Sequence, residues 1–197
     1  DNGGTLALYS HINYLDNRVK NGLTIKIKNM FREMRRKRQQ LSTEECIAIL
    51  EKMTSGVLAL NEEGGYPYAV PLSYVYSDNK IYFHSAIKGH KIELLEKNEN
   101  VSFCVIFQDH IVPEEFTTYF QSVIVFGKAR ILLDEKEKMS ALWKLGEKYS
   151  SGNAEALSAE ISKGKNHLLI IEIAIEHMTG KESIELVRAK KSIKESK

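Results

Sequence analysis

Apolar positions along the chain change period several times, and each change marks an element. Residues 43–53 carry apolar side chains at helical spacing, with Ile47, Leu50 and Met53 on one stripe. Ser42 followed three residues on by Glu45 supplies a capping box at its start, and Gly56 ends it. Strand-like runs follow at Val57–Leu60 and Tyr66–Tyr76, separated by the turn residues Asn61–Gly65. After a tight turn at Ser77–Asn79, "KIYFHSA" reads as a third strand and "HKIELLEKN" as a short helix. Ile92 and Leu95 share one face of that helix, and Glu93 stands four residues before Lys97. Val101–Phe107 is a fourth strand, and beyond a loop holding Pro113 the alternating run Thr118–Leu132 is a long fifth. Two helical stretches, Asp134–Tyr149 and Asn153–Ile161, precede a sixth strand at His167–Met178.

Six strands joined mostly by short turns predict a mainly β fold with flanking helices, a six-stranded antiparallel split β-barrel. The strict strand–helix alternation of a doubly wound parallel sheet is missing. One domain is expected over residues 30–185, followed by a charged C-terminal tail over 186–197. The chain opens on Asp1, and Met30 begins "MFREMRRKRQQLSTEE". Residues 1–29 therefore read as an N-terminal extension, either upstream of a start near Met30 or Met34 or a native arm.

Composition narrows the class. The 197 residues are 43% hydrophobic and 27% charged, the range of a soluble globular protein. With 28 basic and 26 acidic residues, a net charge of +2 gives no global push toward nucleic acid. The basic run Arg32, Arg35, Arg36, Lys37 and Arg38 lacks aromatic partners and precedes a helix cap, so it reads as a solvated lead-in. No run reaches the length of a membrane span. Cys46 and Cys104 fit no metal or disulfide spacing, which suits a reducing cytoplasm. His110, His167 and His177 share no ligand spacing, so no metal site is expected. Trp143 fits the apolar face of its helix.

Three stretches carry candidate chemistry. Lys88-Gly89-His90-Lys91 places cations at a helix start, where backbone amides already present positive partial charge. With the Ser85 hydroxyl nearby, this is what an anion such as phosphate requires; a solvated basic turn is the other reading. In "YPYAVPLSY", Pro67 and Pro71 sit inside a strand pattern, which predicts an edge strand or a bulge. Its unpaired backbone groups can read the rim of a flat heterocycle, or they can belong to a plain edge. In "YFQSVIVFGKARIL", Gln121 and Ser122 interrupt the apolar alternation, as ligand donors or as outward barrel positions, and Gly127 allows close backbone approach. No Gly-rich dinucleotide, P-loop or nucleophile-elbow motif is present.

Four segments in order, "ILEKMTSGVLALNEEGGYPYAVPLSYVY", "IYFHSAIKGHKIELLEKNENVSFCV", "YFQSVIVFGKARIL" and "IEIAIEHMTGKES", resemble the FMN-binding split-barrel relatives of pyridoxamine-phosphate oxidase. Within that family the chain resembles the nitroimidazole-resistance group. The resemblance implies a homodimer with FMN at its interface and no nucleic-acid or membrane partner. Val70, Pro71, Leu72 and Ser73 would lie along the isoalloxazine; His84 and Ser85 would face its ring and ribityl region. His90 and Lys91 would hold the phosphate, Gln121 and Ser122 would approach from the partner subunit, and Lys181 would stand near the cofactor. His90 takes the place of the oxidases' arginine, and their C-terminal Trp and Arg segment is not visible in "TGKESIELVRAKK". The implied activity is an FMN-dependent oxidoreductase that reduces small electron-poor acceptors such as nitroimidazole drugs. His84 is the candidate catalytic proton donor or substrate contact, because imidazole titrates near neutrality; a purely packing role against the flavin is the other reading. A non-catalytic haem- or flavin-binding barrel is the alternative function.

Overall fold

A computed structural model describes residues 30–196 apart from Ser151, so the expectation for residues 1–29 lies outside the described residues. Arg36–Lys197 form one compact unit; of the residues before it only 30–35 are described, as turn and bend.

The first helix, α1 (Thr43–Lys52), starts where the pattern places it. Glu45 N–H donates to Ser42 Oγ at 3.2 Å, and Ser42 N–H donates to Glu45 Oε2 at 2.8 Å. Among the described residues seven strands follow: β1 (Ser55–Leu60), β2 (Tyr68–Ser73), β3 (Val75–Ser77), β4 (Lys80–Ser85), β5 (Asn100–Val112), β6 (Thr117–Ile131) and β7 (Leu169–Glu182). Helix α2 (His90–Lys97) joins β4 to β5, and the pair α3 (Glu135–Tyr149) and α4 (Ala154–Gly164) joins β6 to β7. The expected charged tail is itself helical, α5 (Ile184–Glu195), opened by the N-cap Ser183.

All strand pairs are antiparallel, in the order β2-β1-β5-β6-β7-β4-β3. The two edge strands are consecutive in the chain, with only Tyr74 between them. One residue spans little more than 3 Å, so the sheet has to curl until its edges meet, which makes a split barrel. The run Tyr66–Tyr76, read as a single strand, divides here into β2 and β3. Tyr74 is fully buried, and its hydroxyl donates to the Leu50 carbonyl at 2.9 Å.

Two local devices shape the barrel. Asp78 and Asn79 take φ of 53° and 59°, the left-handed pair that closes a two-residue hairpin between right-twisted strands. Gly127 sits at a register shift between β6 and β7, where a Cβ would overlap the Ala174 carbonyl oxygen. The interior is filled by Leu58, Phe83, Phe103, Val105, Val125 and Ile173 and plugged by Leu50 of α1 and Leu95 of α2. A second cluster forms outside the barrel, where Leu142 and Leu145 of α3 and Ile161 of α4 cover Val75, Tyr82 and Ile170. Trp143 packs against that cluster, as its helical position predicts.

Candidate functional site

Alternation along β4 decides which way its end points. Ile81, Phe83 and Ser85 are buried, with Ile81 and Phe83 in the barrel core, while Tyr82 joins the outer cluster and His84 is exposed. Beyond Ser85 the chain turns through Gly89, whose φ of 140° suits a residue without a Cβ, and α2 begins. Ser42, Asp134, Asn153 and Ser183 each cap their helix with a side-chain oxygen; Gly89 offers α2 none. Instead His90 and Lys91 stand at this start, and cations there oppose the helix dipole unless an anion joins them.

The two residues are not equivalent. His90 Nε2 lies 3.4 Å from Glu62 Oε2, and its ring meets Tyr68 edge-on at 4.7 Å. Lys91 is half-buried, with Nζ 5.7 Å from the centre of the Phe83 ring, and among the described residues no carboxylate lies within salt-bridge distance of it. Burial pushes the Lys91 ammonium below its ordinary value of 10.5, so an anionic partner would restore what desolvation removes. Lys91 is a half-buried cation that this helix start leaves without a carboxylate partner among the described residues, whereas His90 has Glu62 beside it.

Strand β2 lies beside this region at the sheet's edge. Val70 and Leu72 pack on the core, whereas Pro71 and Ser73 are exposed. Among the described residues it pairs with β1 alone, so the backbone polar groups on its other side have no described strand partner, and Pro71 is tolerated as the sequence predicts. Ser73 at the end of β2 and His84 at the end of β4 both line a cavity of about 350 Å³ beneath the α3–α4 hairpin. Its far wall is Leu145, Tyr149, Leu157 and Ile161.

Gln121, Ser122 and Lys181 form a separate group. The β6–β7 register pairs Gln121 with Glu182 and Ser122 with Lys181. Gln121 Nε2 donates to Glu182 Oε2 at 3.0 Å, and Lys190 of α5 meets the same oxygen at 2.7 Å. The Lys181 ammonium sits 5.3 Å from the Phe120 ring centre. Cross-strand pairing runs Pro71–Val57–Cys104–Ile124–Thr179 along one outward row, and Ser73, Ser122 and Lys181 occupy the next. At about 4.8 Å per strand, Ser122 and Lys181 stand roughly 14 and 19 Å across the sheet from Ser73. The β4–β7 register sets His84 opposite Ile170, well before Lys181 on β7, so one chain keeps this group apart from His84 along the strand.

Two contributors were not legible beforehand. Glu62 looked like part of a turn, and only the fold sets it against His90. Tyr149 closes its helix 75 residues from Tyr74, yet reaches that residue's backbone. No local pattern signals either contact. Among the described residues no cluster of three metal-ligating side chains occurs, and no helix is long and apolar enough to cross a membrane.

Comparison with known proteins places this geometry. A family profile described as pyridoxamine 5'-phosphate oxidase matches residues 42–182. An uncharacterised protein of Rhizobium meliloti (strain 1021) is 28% identical over 149 residues, covering 72% of this chain and 92% of its own. The crystal structure of an FAD-binding protein from Mesorhizobium loti is 30% identical, with a TM-score of 0.52 over 74% of this chain and 97% of that one. A Bacteroides thetaiotaomicron protein, provisionally assigned to 5-nitroimidazole antibiotic resistance, shares the fold at 22% identity, with a TM-score of 0.63 over 73% and 86% of the two chains. A flavocytochrome from Azotobacter vinelandii shares it at 20% identity, with a TM-score of 0.66 over 77% and 72%. The profile spans 141 of 197 residues, from the N-cap of α1 to the last residue of β7, and the chain belongs to the pyridoxamine 5'-phosphate oxidase family.

Proposed function

We propose that this protein is a homodimeric FMN-dependent oxidoreductase that reduces small electron-poor acceptors, nitroimidazoles among them. The observation that carries the reading is the start of α2: an uncapped helix N-terminus beside a half-buried Lys91 that lacks a described counter-ion. A phosphate monoester supplies the missing charge and accepts from the first-turn amides. The flavin kind of relative, an FAD-binding protein 30% identical to this chain, supports the same class of ligand.

The donor set fits FMN. Lys91 and the amides of α2 hold the phosphate end, Ser85 stands at the strand end next to it, and the free edge of Val70–Ser73 faces the rim of the ring system. Bound flavin supplies the electron transfer; the protein binds, orients and excludes water. His84, exposed at the end of β4, delivers a proton to the acceptor from its imidazole. Gln121, Ser122 and Lys181, set apart within one chain, complete the site from a second copy. The outer face of β1, β5 and β6 exposes Val57, Ile106 and Ile124, an apolar patch suited to that pairing.

Purification with absorption spectroscopy, followed by anaerobic reduction and mixing with nitroimidazoles and quinones, tests the reading. A yellow protein whose reduced form is reoxidised by these acceptors is expected. A colourless protein that takes up no FMN contradicts it, and a red one with a Soret band favours haem storage or sensing.

A further inference from the structure

The cavity beneath the α3–α4 hairpin belongs to neither the core nor the phosphate cradle. Its far wall is built from Leu142, Leu145, Leu157, Ile161 and Leu168, and its barrel side ends on Ser73 and His84. Leu142, Leu145 and Ile161 are buried in the outer cluster, so this wall is fixed by packing. Two charged residues also line the cavity, Glu160 and Lys165, of opposite sign. A volume of about 350 Å³ lies at the small end of ligand pockets.

We propose that this cavity is the acceptor-binding site, and that it takes an uncharged, flat ring compound rather than a phosphorylated one. The proposal rests on the flavin reading above, and it names the substrate class for that site. An apolar wall gains by covering ring carbons, whereas a phosphate dianion placed there loses its hydration. Lys165 is the one lysine or arginine among the described residues lining the cavity, and Glu160 stands in the same lining. A phosphate ester requires several convergent donors, which α2 offers and this cavity does not. The nitro group of a nitroimidazole, or one carbonyl of a quinone, would instead point to His84 and Ser73, the polar end of an otherwise apolar slot. The same hairpin that forms the far wall opposite His84 thereby sets the specificity.

Gly164 makes the idea testable without disturbing the packing. It lines the cavity at the end of α4, has a helical φ of −89°, and a Cβ built on it meets nothing within 4 Å. Gly164→Phe therefore adds bulk to the lining without backbone strain, and Gly164→Ala is the control. Trp143, the chain's single tryptophan, packs on the cluster that forms the wall, so a nitro compound in the cavity quenches its emission. The probe is 2-methyl-5-nitroimidazole, titrated into flavin-free and FMN-loaded protein while Trp143 fluorescence is read. FMN affinity and melting temperature are measured on each variant.

Saturable quenching in wild type and Gly164→Ala is expected, weakened at least tenfold in Gly164→Phe, with FMN affinity unchanged in all three. Linear, collisional quenching in wild type overturns the proposal, as does equal probe affinity in Gly164→Phe. Loss of FMN binding on filling the cavity also overturns it, because the space then belongs to the cofactor. Should wild type bind the probe saturably but no FMN, the flavin reading fails while the cavity assignment stands. Inorganic phosphate serves as the counter-probe, and competition by it at millimolar concentration refutes the uncharged class.

Discussion

Tyr149 holds Tyr74 by its backbone: its hydroxyl accepts from the Tyr74 N–H at 3.0 Å and lies 2.6 Å from the Tyr74 carbonyl oxygen. Tyr74 is the one residue between the two edge strands, so the end of α3 fastens the barrel where its edges meet. The Lys148 ammonium lies 4.5 Å from the Tyr74 ring centre, adding a cation–π contact. Tyr149→Phe removes the bridging hydroxyl and leaves backbone groups under-satisfied. It is expected to cost about 1–2 kcal/mol, a melting temperature lower by roughly 2–8 °C. Thermal unfolding of the variant, flavin-free, checks this; an unchanged transition means the hydroxyl fastens nothing.

Lys91→Ala removes the half-buried cation at the start of α2, which has no carboxylate partner among the described residues. Loss of a charge-assisted contact lowers FMN affinity by about 1.5–3 kcal/mol, or roughly ten- to hundredfold in Kd. The pH dependence has a definite sign. Burial lowers the Lys91 pKa from 10.5, so the ammonium discharges earlier than an exposed lysine as pH rises. FMN affinity in wild type should therefore fall on the alkaline side below pH 10.5, and Lys91→Ala should lack that limb. In the flavin-free protein the sign reverses: a buried ammonium opposes folding below its lowered pKa, and the penalty fades above it.

Glu172 anchors a charge cluster on the barrel's outer wall. Its Oε1 accepts from Arg130 Nε at 2.9 Å and its Oε2 from Lys80 Nζ at 2.9 Å, at 4% exposure. Burial alone would raise its pKa, but the hydrogen bonds from Arg130 and Lys80 outweigh it and hold the carboxyl below 4.5. A carboxyl depressed in the folded state stabilises above its unfolded pKa, and that stability is lost as pH falls through the folded value. Glu172→Gln should thus be less stable than wild type at pH 7 by about 2 kcal/mol, and the gap should close below pH 4.5. Urea unfolding at a series of pH values gives both curves; parallel curves would remove the charge from the argument.

Cys104 reports on the pairing of two copies. It sits half-buried on the outward row between Val57 and Ile124, and burial raises its thiol pKa. Cys46 is buried and pushed up to about 11, so it should stay unreactive in either state. Ile124→Asp places a charge in the apolar patch and should convert a dimer to monomer in light scattering. Cys104 should then react faster with a thiol reagent at pH 8 than it does in wild type. A wild-type monomer with an equally fast thiol removes the second copy from the account.

Local chemistry explains what was legible in the sequence. The Ser42–Glu45 box, the proline-marked edge strand, the Gly127 close approach and the cationic α2 start each act over a few residues, and each lies where it was read. The break at Tyr74 was not legible, because Tyr66–Tyr76 keeps an apolar strand pattern through it; only closure of the barrel forces the division into β2 and β3. The charged C-terminal run carries no local sign of what it packs against. In the fold Lys190 pairs with Glu45 and the buried Glu182, which ties α5 to the rest of the unit. Within the site, His90 and Lys91 look alike in sequence, and only the fold separates the histidine facing Glu62 from the lysine free to meet an anion.

Equilibrium titration of the flavin-free protein with FMN and, separately, with riboflavin tests the central claim most directly. The two ligands share every ring and ribityl contact and differ only in the phosphate that Lys91 and the α2 amides would hold. The account predicts FMN binding at least tenfold tighter than riboflavin, with the difference largely erased in Lys91→Ala. Equal affinity for the two in wild type, or no binding of either, contradicts it.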